Sequence, residues 1–216
     1  MRALTLCVLG AALTLGAGCF GNSVTEFPPG LEPLEDDTVA KQQAPYTETI
    51  AMEDQPFTTF HAVHARGYVL APPATVWAVS KNPDVMDAAC QATRHNATVG
   101  DEPTYEYSFD MHYEVDEVIT VAWDEQWRFG TIDGTAEMPA RAIVRYQKVS
   151  GTDFIKILEG SIQYYAVADD PNVTMVEYVE HVNAQSSSTS DTHNSFTQRF
   201  AATVAQAHGQ PIPSCP

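Results

Sequence analysis

Gly67-Tyr68-Val69-Leu70-Ala71-Pro72-Pro73-Ala74-Thr75-Val76-Trp77 is the stretch on which the fold turns. Residues 59–70 are rich in β-favouring types, so the run opens as the end of a strand. Pro72 and Pro73 stop that strand, because proline has no N–H to give to a ladder. Proline also suits the first turn of a helix, so residues 74–80 read as a short helix. Lys81-Asn82-Pro83-Asp84 breaks it, and Pro83 can open a second helix running to about Cys90.

Downstream, the period changes to two. Tyr105, Tyr107, Phe109, Met111, Tyr113 and Val115 alternate with Glu106, Ser108, Asp110, His112, Glu114 and Asp116. Such alternation marks a strand with one buried and one wet face. In the next strand Ile119, Val121, Trp123 and Trp127 share a parity that only Glu125 interrupts. Further strands fit residues 141–149, 154–167 and 173–182, separated by turn signals at Ser150-Gly151 and Asp169-Asp170-Pro171-Asn172. After a polar loop, Asp191 can cap a helix to about His208, which Gly209 can end. Phe196, Phe200, Thr203, Val204 and Ala207 share one face of it. This order is that of an α+β domain with its helices on one side of an antiparallel sheet.

The strand, double proline and helix carrying Val76-Trp77 resemble the opening of the START-like, or SRPBCC, helix-grip superfamily, and the order of elements agrees over residues 57–209. The resemblance implies a curved antiparallel sheet wrapped around the long C-terminal helix, with two short helices after the first strand and a cavity inside. Tyr105, Tyr107, Phe109, Met111, Tyr113, Trp123, Trp127, Phe196 and Phe200 would line that cavity. Pockets of this kind take affinity from apolar walls and orientation from a few polar groups. The same aromatics could instead fill the space as a solid core.

Catalytic signals are sparse. Glu159 and Gln163 share a parity with Ile155 and Ile157, so either could point inward, and a buried Glu159 could act as a general acid or base. Gly160 can mark a bulge that reverses this. His61 and His64 fall on opposite faces of their strand, which argues against a shared metal. His181 lies in a strand with no evident partner. There is no Ser-His-Asp spacing, phosphate loop or zinc-type cysteine pair, and no cofactor or metal is expected. The reading is a binding module for a hydrophobic small molecule or lipid. The alternatives are a cyclase- or hydrolase-type enzyme using the same cavity, and a structural domain with no ligand.

The N-terminus reads as an address. Arg2 precedes an uncharged apolar run over residues 3–15, then Gly16, Ala17, Gly18 and Cys19. Residues 1–18 resemble a bacterial lipoprotein signal peptide, although Gly16 stands where such signals usually carry Leu. The resemblance implies acylation of Cys19, palmitate included, and attachment to the cell envelope, with Phe20 leaning toward the outer membrane. Residues 19–56, with Pro28, Pro29, Pro33, Pro45 and Pro56 among five acidic residues at 26–37, read as a disordered tether. Its reach of roughly 30–40 Å would hold the domain clear of a membrane. Cys90 and Cys215, in the tail 210–216, can form a disulfide, for which the chain-entropy estimate is about 5 kcal/mol at most. Two separate thiols are the other possibility. The chain has 28 acidic residues against 11 Lys and Arg, a formal net charge of −17, so nucleic acid is not an expected partner.

Overall fold

The computed structural model describes residues 22–87, 92–116, 120–185 and 188–214. Cys7, Cys19, Cys90 and Cys215 all lie outside them, as does Ile119. Strands β1 (Asn22–Val24), β2 (Ile50–Pro56) and β3 (His61–Val69) precede helices α1 (Pro73–Ser80) and α2 (Pro83–Met86). Strands β4 (Arg94–Val99), β5 (Tyr107–Asp116), β6 (Thr120–Gly134), β7 (Pro139–Thr152), β8 (Ile155–Val167) and β9 (Asp170–Ala184) follow, and α3 (Thr189–Ala207) closes the sequence of elements.

The sheet runs β2-β3-β9-β8-β7-β6-β5-β4, antiparallel throughout, and curves around α3 in a helix-grip arrangement. The double proline acts as its chemistry dictates: the Pro72 carbonyl accepts the N–H groups of Thr75 (2.9 Å) and Val76 (3.1 Å), starting α1 where β3 has ended. Gly67 belongs to the same logic, because a side-chain carbon there would collide with the Phe200 ring of α3. The helix therefore lies close on β3. α3 is capped by Ser188 rather than Asp191, with Asp191 accepting the Ser188 N–H at 3.0 Å in a capping box. Gly209 takes φ 68° past its end, as the C-terminal stop requires.

Residues 22–56 are not a free tether. β1 pairs with the end of β7 beyond the point where β8 leaves it, and β2 adds an edge strand beside β3. Between them the chain lies along the outer face of the sheet, held mainly through its own backbone. Arg128 Nη1 donates to the carbonyls of Phe27 (3.1 Å) and Pro28 (2.8 Å), Arg145 Nη1 to Glu32 (2.7 Å), and Gln147 Nε2 to Glu26 (2.8 Å). Ser161 Oγ accepts the Leu34 N–H at 3.2 Å. Phe27 and Val39 are buried, and Leu31 rests on Gly130. Apolar periodicity misses such a segment, since polar side chains of the sheet satisfy a main chain that forms few ladders of its own.

The core is aromatic. Phe109 stacks on Trp127 at 5.4 Å, Trp127 on Tyr146 at 4.2 Å and Tyr113 on Trp123 at 4.9 Å, while Tyr178 meets Phe196 at 5.1 Å. Phe109 has no exposed surface and also contacts Tyr107 and Phe129. Phe109→Ala should therefore cost about 3–5 kcal/mol in denaturant unfolding. A loss below about 1 kcal/mol would mean that this wall is not packed.

Candidate functional site

Arg199 lies on the sheet-facing side of α3 and is only 4% exposed. Its Nε donates to the Met86 carbonyl at 2.8 Å, so α2 sits on the helix through a charge-assisted bond. Its guanidinium carbon is 5.2 Å from the Trp127 ring and 5.4 Å from that of Tyr146. Nη1 is buried without a hydrogen-bond partner.

The strands opposite meet this charge in register. Phe109, Trp127, Tyr146, Gly160 and Glu180 form one inward row across β5, β6, β7, β8 and β9. A side-chain carbon on Gly160 would run into the Tyr146 ring, so the glycine lets that ring lie across β8 and reach β9. There the phenol donates to Glu180 Oε2 at 2.6 Å, and Thr192 Oγ1 of α3 donates to Oε1 at 2.9 Å. Glu125 also faces inward, accepting the indole N–H groups of Trp123 (2.8 Å) and Trp127 (3.2 Å). Burial pushes its carboxyl pKa up to about 7, against the Trp123 hydrogen bond and with help from the Glu180 charge.

Two more buried phenols, Tyr164 on β8 and Tyr178 on β9, leave their oxygens without a partner. Ser80 of α1 lies beside the first and Thr203 of α3 beside the second, near enough to oppose the rise in pKa that burial causes. Neither pair meets the geometry of a full hydrogen bond. The Ser80 and Thr203 protons are given to the carbonyls of Trp77 and Arg199, both at 2.8 Å. With their pKa values raised, both phenols are protonated at neutral pH. Arg199 influences both phenols electrostatically, while its guanidinium lies over Trp127 and Tyr146. Each of the two phenols keeps an O–H that can donate to an oxygen acceptor.

The structure brings Phe109, Met111, Tyr113, Trp123, Trp127, Phe196 and Phe200 together in this interior, with Tyr107 at its margin. Tyr105 is elsewhere. It precedes β5, donates to the Pro29 carbonyl at 3.0 Å and lies under the Arg128 guanidinium on the outer face. Glu159 and Gln163 also face outward, because the pairing of β8 with β9 shifts between Ile155 and Ile157 and reverses the parity. Glu159 Oε1 lies 3.3 Å from His181 Nδ1, while Glu35 Oε1 lies 3.2 Å from His181 Nε2 and 2.7 Å from His64 Nε2. His181 thus has partners that its own strand did not reveal, one of them in the N-terminal stretch. Among the described residues no group of three His, Cys, Asp or Glu is placed to hold a metal ion. Three depressions of about 160, 180 and 260 Å³ lie outside the grip, beside Lys156, Phe60 and Asp110 respectively.

Sequence reasoning passed over Glu125, Tyr146, Tyr164, Tyr178, Glu180 and Arg199. Two signals were available: Glu125 shares the parity of the tryptophans that flank it, and Arg199 falls three residues after Phe196 on the apolar face of α3.

No protein-family model and no curated protein sequence matches the chain. Solved structures do resemble it. The Zhui aromatase/cyclase from a Streptomyces species aligns with a TM-score of 0.50 at 13% identity, covering 69% of this chain and 94% of that one. The human StarD13 lipid transfer and protein localization domain gives a TM-score of 0.52 at 8% identity, covering 76% of this chain and 86% of that one. These likenesses show a fold of the START/SRPBCC type.

The raised Glu125 pKa has a thermodynamic consequence. The folded state holds a proton that the unfolded chain releases at about pH 4.5, so this residue's contribution is complete below that pH and lost as pH rises through about 7. Unfolding free energies measured between about pH 4 and pH 8 should fall less steeply in Glu125→Gln than in the parent. Parallel profiles would show that Glu125 does not titrate in this way.

Proposed function

We propose that this chain is a helix-grip binding domain for a hydrophobic or amphipathic small molecule or lipid, held to a bacterial cell envelope by lipid on Cys19. The observation that carries the ligand reading is three of the seven buried, unpartnered side-chain atoms among the described residues, those inside the grip: Arg199 Nη1 and the oxygens of Tyr164 and Tyr178. Buried polar groups are nearly always paired, and leaving one unpaired costs about 1–3 kcal/mol. An occupant with an acceptor oxygen would recover that cost while its apolar part met the surrounding rings. The structural neighbours include a lipid transfer domain and an aromatase/cyclase, which supports a lipid or small-molecule ligand for this chain.

The enzymatic reading has one specific observation in its favour, which concerns Glu125 rather than Glu159. A buried carboxyl with a pKa of about 7, within the same interior as Arg199, suits a general acid in cyclisation or hydrolysis. The cell-envelope reading rests on the residues up to Cys19, with the outer membrane as the preferred location. The Cys90–Cys215 disulfide accompanies it. Its support is that Ala92 and Ile212, close to the two cysteines in sequence, both pack on the same core.

Native mass spectrometry of the purified protein, followed by solvent extraction, tests the ligand reading. The expected result is a retained small molecule whose occupancy falls at least several-fold in a Tyr164→Phe, Tyr178→Phe variant that remains folded. Protein that carries nothing and takes up no apolar fluorescent probe would favour the domain without a ligand.

A further inference from the structure

The proposed anchor and the first strand are three residues apart. β1 is paired residue for residue with the end of β7: Asn22 with Thr152, Ser23 with Gly151 and Val24 with Ser150. Ser23 Oγ accepts Lys148 Nζ at 2.8 Å, and the Thr25 N–H donates to the Val149 carbonyl at 2.8 Å. Beyond Thr25 the chain continues along the outer face, fixed by Gln147, Arg128, Arg145 and Ser161. Three residues span at most about 11 Å. Lipid on Cys19 would therefore have no long leash.

From this placement we infer that the acylated chain sits directly on the bilayer, with β1 and the β7–β8 turn as its membrane-facing end. This rests on the lipid-anchor reading proposed above and extends it to an interaction surface. The chemistry of that end fits. Val24 is 82% exposed, an apolar side chain that the described residues leave uncovered. The neighbouring turn consists of exposed Asp153 and half-buried Phe154, and Lys156 follows it with its side chain exposed. The partner is a bilayer surface of zwitterionic lipid, because a net charge of −17 is repelled by anionic headgroups. The opposite end of β7, at the β6–β7 turn containing Met138, lies on the order of 40 Å away along the strand and points to solvent.

The test uses the full acylated chain in phosphatidylcholine vesicles containing lipids brominated in the acyl chain. A fluorescent unnatural residue is placed at Val24 or at Met138. Quenching at Val24 should exceed that at Met138 several-fold. Inserting about 20 Gly/Ser residues between Gly21 and Asn22 should abolish the difference while carbonate-resistant attachment persists. Acylated, attached protein with equal quenching at both positions would overturn the seating and leave the anchor standing. A difference that survives the insertion would overturn the short connection as its cause. Protein with no acyl group on Cys19 by mass spectrometry would remove the anchor itself, and the seating with it.

Discussion

A guanidinium buried beneath a helix sets the terms for the rest of this interior. Arg199 cannot sit among aromatic rings without compensation, because an isolated charge in such a place costs far more than a domain's margin of stability. Compensation arrives from several elements. Met86 gives a carbonyl, Trp127 and Tyr146 give ring faces, and Glu180 gives countercharge. Glu180 is in turn held by Tyr146 and Thr192, and Tyr146 reaches it only because residue 160 has no side chain. One cation on α3 thus accounts for a glycine on β8, a tyrosine on β7 and the docking of α2. Burying a linked network of this kind adds little net stability, but breaking one member leaves the others unpaired.

The outer face solves a different problem with similar means. A sheet gripping a helix has a second face to cover, and this chain covers much of it with its own residues 22–56. Arg66 pairs with Glu177 at 2.7 Å, and Arg128 pairs with Glu102 through Nε at 2.6 Å. Arg128 and Arg145 also donate to carbonyls of the overlying stretch, so much of the positive charge in an acidic chain is engaged within the molecule. The face remains polar where it meets water, while the N-terminal stretch gains a fixed path that does not depend on apolar periodicity.

That division explains what could be read from residues alone. The 107–115 alternation and the double proline were legible because each is local: a period of two fixes a strand face, and proline fixes a helix start. Glu125 was legible only as an irregularity, since its role needs Arg199 and Glu180 from distant elements. Glu159 was misplaced by a register shift near Ile157, which no composition signal marks. Tyr105 was counted with the strand whose parity it shares, but it stands before the first ladder pair of β5 and turns toward Pro29. Residues 22–34 were misread because their backbone bonds go to distant side chains such as Arg128 and Gln147, and residues 50–56 because β2 is defined by pairing with β3. Strand β4 went unread because Arg94–Val99 carries little apolar alternation, and it is defined by pairing with β5.

The interior divides into two halves with different chemistry. On the side of β5, β6 and β7, stacked rings fill the space and the polar atoms of Glu125 and Tyr146 are paired. On the side of β8, β9, α1 and α3, the phenol oxygens of Tyr164 and Tyr178 are not, and Arg199 Nη1, over Trp127 and Tyr146, is a third such atom between the two. Relieving those three by packing alone would need apolar replacements, and Phe in place of either tyrosine would keep the ring and remove the unpaired hydroxyl. Ser80 and Thr203 lie beside these hydroxyls without completing a hydrogen bond, so this half keeps donor capacity that the stacked half has used. Trp77 packs on Tyr164 at 5.6 Å and Phe196 on Tyr178 at 5.1 Å, so the rings of that half are fixed by packing while their hydroxyls stay open to an acceptor.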